Sequence, residues 1–137
     1  MEVFVLDACA LIAYLRREEG HQKVIELFDR ATDLEVRIIL HAASLSEVYY
    51  DFLRVSDKAI ADEMLSDLTL LPIELKDNIS MQMVQQIGYF KTTYKISFAD
   101  SFVLATARMN NASVVTSDHH EFDVIEIKRD ALLTWIR

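Results

Sequence analysis

Cysteine, proline and glycine are scarce in this sequence of 137 residues, which contains one Cys, one Pro and two Gly. A single cysteine permits neither an intramolecular disulfide nor a cysteine-based zinc cluster. The shortage of glycine and proline argues against a hairpin-rich all-β fold. It also excludes both glycine-rich phosphate-binding loops, the Walker A motif and the dinucleotide fingerprint.

Basic residues are also in short supply, because 14 Lys and Arg stand against 22 Asp and Glu, a net charge of −8. Proteins that bind nucleic acid indiscriminately rely on Lys and Arg to contact phosphates. The balance therefore disfavours a general duplex binder. A small nuclease with a local basic rim stays compatible with it, especially if several acids bind divalent cations. The candidate phosphate contacts are Arg16, Arg17, Lys91, Lys95 and Arg108.

Long apolar runs, linkers and repeats are absent too. No stretch approaches the length of a membrane span, and the apolar N-terminal run lacks the basic start of a signal sequence and is interrupted by Asp7. With 52% hydrophobic and 26% charged residues, the composition is that of a soluble globule. We expect a single domain spanning residues 1–137, in a reducing, cytoplasmic setting and with no membrane partner.

Short apolar runs alternate with helical patterns along the chain. Five runs predict strands: Val3–Leu6, Val36–Leu40, Leu70–Leu75, Ala112–Thr116 and Val124–Ile127. Predicted helices are Ala8–Arg17, His21–Ala31, one capped by Ser44 and running through Arg54, one from Asp57 to Leu68, one from Asp77 to Thr93, one from Ser97 to Met109, and a short last helix capped by Asp130. Because the strands are continuous apolar runs, they indicate an α/β fold with a mostly parallel sheet covered on both faces.

Four carboxylates follow the predicted strands. Asp7 comes directly after the first strand, and Asp118 comes two residues after the strand that ends at Thr116. Glu47 lies in the first turn of the helix after the second strand, and Asp100 lies in the first turn of a strongly apolar helix. Ligands of open parallel sheets bind beyond the carboxyl ends of the strands. With short right-handed crossovers, all four acids lie on that edge.

Each acid also has a structural interpretation. Asp7 and Asp118 alone fit ordinary helix N-caps. Asp100 fits a first-turn acid, but its helix is apolar on nearly every face, so its carboxylate needs a positive partner. Arg108 is about two turns away from it, too far to supply one. Glu47 lies off the apolar stripe of its helix, and periodicity alone places it on a solvated face.

Carboxylates that converge on one pocket repel each other, which raises their pKa values. A divalent cation offsets that repulsion. All-oxygen ligation suits Mg²⁺ or Mn²⁺, whereas zinc recruits His or Cys. Such a site can polarise a phosphoryl oxygen and generate hydroxide from bound water, so hydrolysis of a phosphodiester follows.

Four segments resemble motifs of the PIN domain family, in order and over essentially the whole chain. They are VFVLDACALIAYL with Asp7, SLSEVYYDFL with Glu47, ISFADSFVLATA with Asp100, and VVTSDHHEFD with Thr116 and Asp118. In size the chain is most similar to the stand-alone PIN toxins of VapBC-type toxin–antitoxin modules. The resemblance implies a three-layer α/β/α fold with a central, mostly parallel sheet of about five strands. It also implies an Mg²⁺- or Mn²⁺-dependent endoribonuclease that cuts RNA, forms a homodimer and is silenced by a cognate antitoxin. The four acids then act as metal ligands and catalytic residues.

The sequence departs from the family pattern at three places. Cys9 stands where a hydroxyl residue is frequent, and Ser101 stands where alanine is usual. Phe122 comes one residue later than in the commonest spacing, which leaves Asp123 as an alternative to Asp118. None of these departures removes a required carboxylate.

Two other functions fit the sequence less well. A non-catalytic PIN-like interaction module would not need a complete set of acids. A phosphatase of the aspartyl-phosphate type resembles this chain in a strand that ends in Asp, but Cys9 occupies the place of its second Asp. His41 fits a turn residue, and His119 and His120 fit exposed loop residues rather than zinc ligands.

Overall fold

A computed structural model describes residues 1–137 and shows a parallel five-stranded sheet with helices on both faces. The strands are β1 Glu2–Leu6, β2 Val36–His41, β3 Glu74–Lys76, β4 Ser113–Thr116 and β5 Leu132–Trp135. The helices are α1 Ala8–Arg16, α2 His21–Thr32, α3 Ala42–Val55, α4 Lys58–Leu68, α5 Met81–Thr93, α6 Phe98–Met109 and α7 His119–Ile127. Neither length nor apolarity suits any of these helices to crossing a membrane.

The strand order is β3-β2-β1-β4-β5, with every neighbouring pair parallel. In chain order, β1, β2 and β3 form one half of the sheet, and β4 and β5 then form the other half on the opposite side of β1. The order reverses between β1 and β4, and a crevice forms at the carboxyl ends of such a pair. The two strands are in register there, with Leu6 opposite Val115. This position is where a ligand site is expected in an open parallel sheet.

Two apolar cores sandwich the sheet and make the predicted three layers. Alternate side chains of β1 point to opposite faces: Phe4 and Leu6 join the core under α1, α2, α3 and α4. Val5 joins Ile39 and Val114 in the core under α5, α6 and α7. Because both faces are covered, the buried residues of the central strands are mostly apolar on both sides, which is why they form nearly continuous runs in the sequence.

The C-terminal part of the fold differs from the sequence prediction. Val124–Ile127, predicted as a strand, is the end of helix α7, and the short helix predicted after Asp130 is strand β5 instead. Phe122 and Ile125 are fully buried three residues apart, whereas Ile127 is 79% exposed. That spacing is helical, and the run of β-branched residues concealed it.

Two helix starts and one strand also differ from the prediction. Helix α3 is capped by His41, whose Nδ1 accepts a hydrogen bond from the Ala43 amide at 3.0 Å, and Ser44 lies inside the first turn. Helix α5 is capped by Ser80 rather than Asp77. The third strand is the short edge strand Glu74–Lys76 and not Leu70–Leu75. Pro72 lies in the replaced segment, consistent with the inability of proline to donate to a ladder.

Candidate functional site

Asp7 stands at the centre of the carboxyl edge of the sheet. It directly follows β1, it is the N-cap of α1, and it is only 3% exposed. Its Oδ1 accepts a hydrogen bond from the Ala8 amide at 2.8 Å. Its own amide donates to the Val115 carbonyl at 3.0 Å, which extends the β1–β4 ladder by one residue. Burial raises the pKa of the Asp7 carboxyl, the surrounding hydrogen bonds oppose this, and the charge of Asp118 adds to it.

Thr116 links the two acids of the central strands. Its hydroxyl, fully buried at the end of β4, donates to Asp7 Oδ2 at 2.9 Å. The Thr116 Oγ1 atom in turn accepts a hydrogen bond from the Asp118 amide at 3.0 Å. One hydroxyl therefore fixes both the Asp7 carboxylate and the backbone that carries Asp118.

Asp118 is the N-cap of α7, and its Oδ1 accepts a hydrogen bond from the Glu121 amide at 3.1 Å. It is partly exposed and close enough to Asp7 for their charges to interact. Asp123, the alternative suggested by the spacing, is exposed and bonds to His119 Nδ1 at 2.8 Å. The structure thus places Asp118, and not Asp123, beside Asp7.

Asp100 approaches the same crevice from α6. Ser97 caps this helix by accepting the Asp100 amide at 3.1 Å, which holds the acid in the first turn. Asp100 is 6% exposed, and the helix around it is almost entirely buried, as its apolar sequence indicates. Burial first, and then the charge of Asp7, raise the pKa of Asp100 to about 8. An unperturbed carboxyl loses its proton at a far lower pH, whereas Asp100 keeps its proton at neutral pH in the metal-free protein.

Glu47 belongs to the same region, in contrast to the solvated face that periodicity favours. It is half-buried, and burial, the charge of Asp7 and the charge of Asp118 all raise its pKa. Asp51 and Arg54 are the neighbours that the sequence suggests for Glu47 on its own helix. They do not pair with it, because Asp51 pairs with Arg54 and with Arg16 of α1. Helix α3 packs against α1, α4 and α6. A helix covered on several sides has no single solvated face, so the periodicity of its apolar stripe is misleading here.

The four acids are therefore electrostatically coupled, and none of them forms an ion pair within the protein. As the side chains stand, no three His, Cys, Asp or Glu residues are close enough to hold one metal ion. Mg²⁺ and Mn²⁺ sites need fewer protein ligands, because these ions keep several waters and are bound through one or two carboxylates plus substrate. Buried carboxylates with raised pKa values and no cation opposite fit that chemistry.

Cys9 takes part in the site through a hydrogen bond. Its Sγ lies 3.1 Å from Asp7 Oδ2 and 3.3 Å from Thr116 Oγ1, and it accepts the Ser117 amide at 3.4 Å. Burial, reinforced by the charge of Asp7, raises the pKa of the Cys9 thiol to about 12. The thiol is therefore protonated and donates to the carboxylate, which is the opposite of an activated nucleophile.

His41 and His119 have structural partners, whereas His120 is exposed in the first turn of α7. His41 is buried, caps α3 and lies 3.0 Å from the Asn78 carbonyl through Nε2. His119 lies in the first turn of α7 rather than in a loop, and its ring stacks on Trp135 with centroids 3.8 Å apart. Its nitrogens contact Asp123 and the Arg137 carbonyl. These contacts hold the start of α7 against β5.

Three of the five basic residues proposed to contact phosphate are engaged within the protein. Arg16 pairs with Asp51, Lys91 donates to the Ile96 carbonyl at 2.6 Å, and Arg108 pairs with Asp130. Arg17 and Lys95 are exposed and form no hydrogen bond or ion pair with another side chain. A basic rim made of all five is therefore not present.

Glu121 is the acid that the sequence interpretation missed. It lies in the first turn of α7, and its charge contributes to the raised pKa of Asp100. The only sequence clue was its place three residues after Asp118, which reads equally well as an ordinary capping box.

The comparisons with known proteins agree with this fold. The model of the PIN domain family matches residues 4–128. VapBC from Salmonella typhimurium, solved bound to DNA, superposes with a TM-score of 0.77, at 16% identity and with 100% of both chains covered. VapBC2 from Rickettsia felis, bound to a promoter DNA fragment, gives 0.74 at 18% identity, covering 97% of this chain and 98% of that one. VapC20 from Mycobacterium tuberculosis, described as a sarcin–ricin loop cleaving toxin, gives 0.64 at 11% identity, covering 81% and 86%. No curated protein sequence matches the chain.

Proposed function

The chain belongs to the PIN domain family, and from this premise we propose that it is a divalent-metal-dependent endoribonuclease, the toxin of a toxin–antitoxin pair. The proposal assigns Asp7, Glu47, Asp100 and Asp118 as the carboxylates that hold Mg²⁺ or Mn²⁺ and carry the hydrolysis of RNA phosphodiester bonds. The whole of residues 1–137 is taken as one domain acting in the cytoplasm.

One observation carries this proposal: Asp7 and Asp100 are almost completely buried, their charges repel, and neither of them pairs with a cation. Asp7 is 3% exposed and Asp100 is 6% exposed. Burial and then the charge of Asp7 make Asp100 harder to ionise and raise its pKa to about 8. A fold keeps such an unfavourable pair only where another group offsets it. A divalent cation is the simplest such group, and ordinary N-capping does not account for Asp100.

When bound, a divalent cation polarises a phosphoryl oxygen and supplies hydroxide from water at neutral pH. The protein's part is to present carboxylates in fixed positions. Asp7 is oriented by the Thr116 hydroxyl and the Cys9 thiol, both of which donate to Oδ2. Asp100 would have to lose its proton in order to hold a cation, so the affinity for metal is expected to rise with pH. Glu47 and Asp118 are more exposed than Asp7 and Asp100.

The decisive experiment measures RNA cleavage with and without metal. We expect purified protein, freed of any antitoxin, to cut single-stranded or structured RNA in Mn²⁺ or Mg²⁺ and to stop in excess chelator. Asp7→Asn should lower the rate by at least about 100-fold, because even outer-shell partners of a metal cost 10- to 100-fold when removed. Asp67→Asn is the matched control, since Asp67 is exposed on α4 and its side chain has no partner.

The possible outcomes separate the candidate functions. Cleavage that persists in excess chelator contradicts the metal mechanism. Binding of an antitoxin by a chain that cuts no RNA, with Asp100→Asn binding equally well, would identify the non-catalytic interaction module. DNA offered in parallel tests the preference for RNA, which is supported by the family and by the likeness to the M. tuberculosis sarcin–ricin loop cleaving toxin but by no residue of this chain.

A cognate antitoxin and a homodimer are part of the same proposal. The neighbours named VapBC are toxin–antitoxin complexes, and their likeness supports a similar partner. Tyr50 on α3 and Met81 on α5 are 66% and 78% exposed, and apolar side chains of this size are often buried in interfaces. Co-purification of this chain with the product of an adjacent reading frame, and its mass by light scattering, test the two points separately.

A further inference from the structure

An ion pair joins helices α1 and α3. Arg16 Nη1, in the last turn of α1, lies 2.5 Å from Asp51 Oδ2 of α3, and the two side chains are 28% and 18% exposed. The Arg16 guanidinium also lies over the Phe52 ring, 4.6 Å from its centroid. Asp51 has a second partner, Arg54, at 2.6 Å on its own helix. Two successive residues of α3 thus hold one arginine of α1, through its charge and through its flat face.

Each of the joined helices carries an acid of the candidate site. Asp7 is the N-cap of α1, and Glu47 lies on α3 four residues before Asp51. Residues four apart on a helix are neighbours on one face. Because Asp51 reaches α1, the face of α3 that carries Glu47 is turned towards the helix that Asp7 caps. The ion pair therefore places Glu47 on the side of α1.

The Glu47 carboxylate has no ionic partner to fix it. It forms no ion pair within the protein, whereas the Asp7 carboxylate is held by Cys9 and Thr116 at 3.1 and 2.9 Å. The position of Glu47 thus depends on how α3 lies against α1, α4 and α6, on which it packs. The pair of Arg16 with Asp51 is the one ion pair that links α3 to another helix.

We propose that Arg16 and Asp51 are positioning residues of the cation site, which hold Glu47 where it meets a divalent ion bound at Asp7. This inference rests on the proposed function, because it takes Glu47 as a metal ligand. Groups that orient a metal ligand without touching the ion typically change metal affinity by about 10- to 100-fold. A comparable loss is expected when either member of the ion pair is removed.

Three other roles compete with this one, and each predicts a different result. If the pair only stabilises the packing of α1 on α3, its loss weakens Mn²⁺ binding equally with or without the Glu47 carboxylate. If only the two charges matter, removing the positive Arg16 and the negative Asp51 changes Mn²⁺ affinity in opposite directions. If Arg16 instead contacts a phosphate of RNA, Arg16→Gln weakens RNA binding and leaves Mn²⁺ binding without RNA unchanged.

The test measures Mn²⁺ binding by calorimetry and electron paramagnetic resonance, without RNA. Wild type, Arg16→Gln and Asp51→Asn are compared with the control Arg54→Gln, which removes the other partner of Asp51 and leaves the link to α1 in place. We expect Arg16→Gln and Asp51→Asn to bind Mn²⁺ about tenfold more weakly, and Arg54→Gln to match wild type. Circular dichroism and melting in chelator check folding. Arg16→Lys keeps the charge and gives a milder variant, which should recover part of the loss.

A double-mutant cycle connects the effect to Glu47. Glu47→Gln alone should weaken Mn²⁺ binding, and adding Asp51→Asn to it should cause no further loss, because the ligand that Asp51 positions is already gone. A further loss of about tenfold in the double variant would overturn the inference. Unchanged Mn²⁺ binding in either Arg16→Gln or Asp51→Asn would overturn it too.

Failure of this inference is distinguishable from failure of the proposed function. If wild type binds Mn²⁺ and Glu47→Gln weakens the binding, but Asp51→Asn does not, only the positioning role is wrong. If wild type binds no Mn²⁺ at all, both the proposed function and this inference are wrong.

Discussion

The substitution Asp100→Asn gives the sharpest test of the electrostatics of the site, because it needs neither substrate nor partner. Asparagine has the shape of the protonated acid and cannot ionise. The pKa of Asp100 is raised to about 8, mainly by burial and then by Asp7, whereas in the unfolded chain it is about 3.9. Between those values the native protein binds a proton that the unfolded chain has lost.

The sign of the effect follows from this difference in bound protons. Stability falls with pH wherever the native state holds more protons, so the Asp100 contribution is complete below about pH 4 and is lost as pH rises to about 8. The loss is at most about 1.4 kcal/mol per pH unit. Between about pH 5 and about pH 7 the free energy of unfolding of the wild type therefore falls by up to about 2.8 kcal/mol, and that of the Asn variant does not fall in this way. For a domain of this size that is on the order of 5–10 °C in melting temperature.

The assay is thermal unfolding in chelator at several pH values, read as the difference between variant and wild type. We expect this difference to move in favour of Asp100→Asn as pH rises from about 5 to about 7, whereas Asp67→Asn should show no such trend. Added Mn²⁺ should then stabilise wild type, by about 2.7 kcal/mol at a hundredfold excess over Kd, and leave the variant unchanged. A difference that is constant across pH, or that favours wild type more at higher pH, would refute the reasoning.

Three further predictions concern single contacts. Thr116→Val removes the hydroxyl shared by two site residues, so we expect a loss of about 1–3 kcal/mol in urea unfolding together with weaker Mn²⁺ binding; unchanged binding would show that the hydroxyl does not orient the site. Gly20→Ala places a Cβ 2.7 Å from the Ile136 carbonyl oxygen at a φ of +95°, so a loss above about 1 kcal/mol is expected, and an equally stable variant would contradict this. Arg37→Ala breaks an ion pair with Glu74 whose side chains are 44% and 40% exposed, and its cost in the same assay should stay below about 1 kcal/mol.

The fold was predictable where a strand is buried on both faces of the sheet. Strand β1 is covered on both faces, and its continuous apolar run is the pattern that a buried parallel strand requires. The C-terminal region was not predictable in the same way, because Val124, Ile125 and Ile127 are β-branched and mimic a strand. The Asp118 cap and the burial of Phe122 and Ile125 favour a helix here. Burial depends on tertiary packing, so the local sequence alone does not reveal it.

The position of the candidate site and the direction of the pKa shifts of its acids were predictable, but the orientation of Glu47 was not. Asp7 and Asp118 follow neighbouring strands, so their proximity follows from the order of the sheet. The orientation of Glu47 depends on which helices cover α3, and its own sequence points the other way. Glu121 matches a capping box in sequence, and only the actual partner of the Asp118 amide shows that the box is incomplete.

The sheet order also determines when this site can exist during synthesis. Asp7 is translated 109 residues before Thr116, whose hydroxyl orients its carboxylate. Since β4 and β5 complete the second half of the sheet, an incomplete nascent chain lacks half of the crevice. Such long-range parallel pairing is slow to form. The four acids therefore come together only after β4 and α7 have been translated.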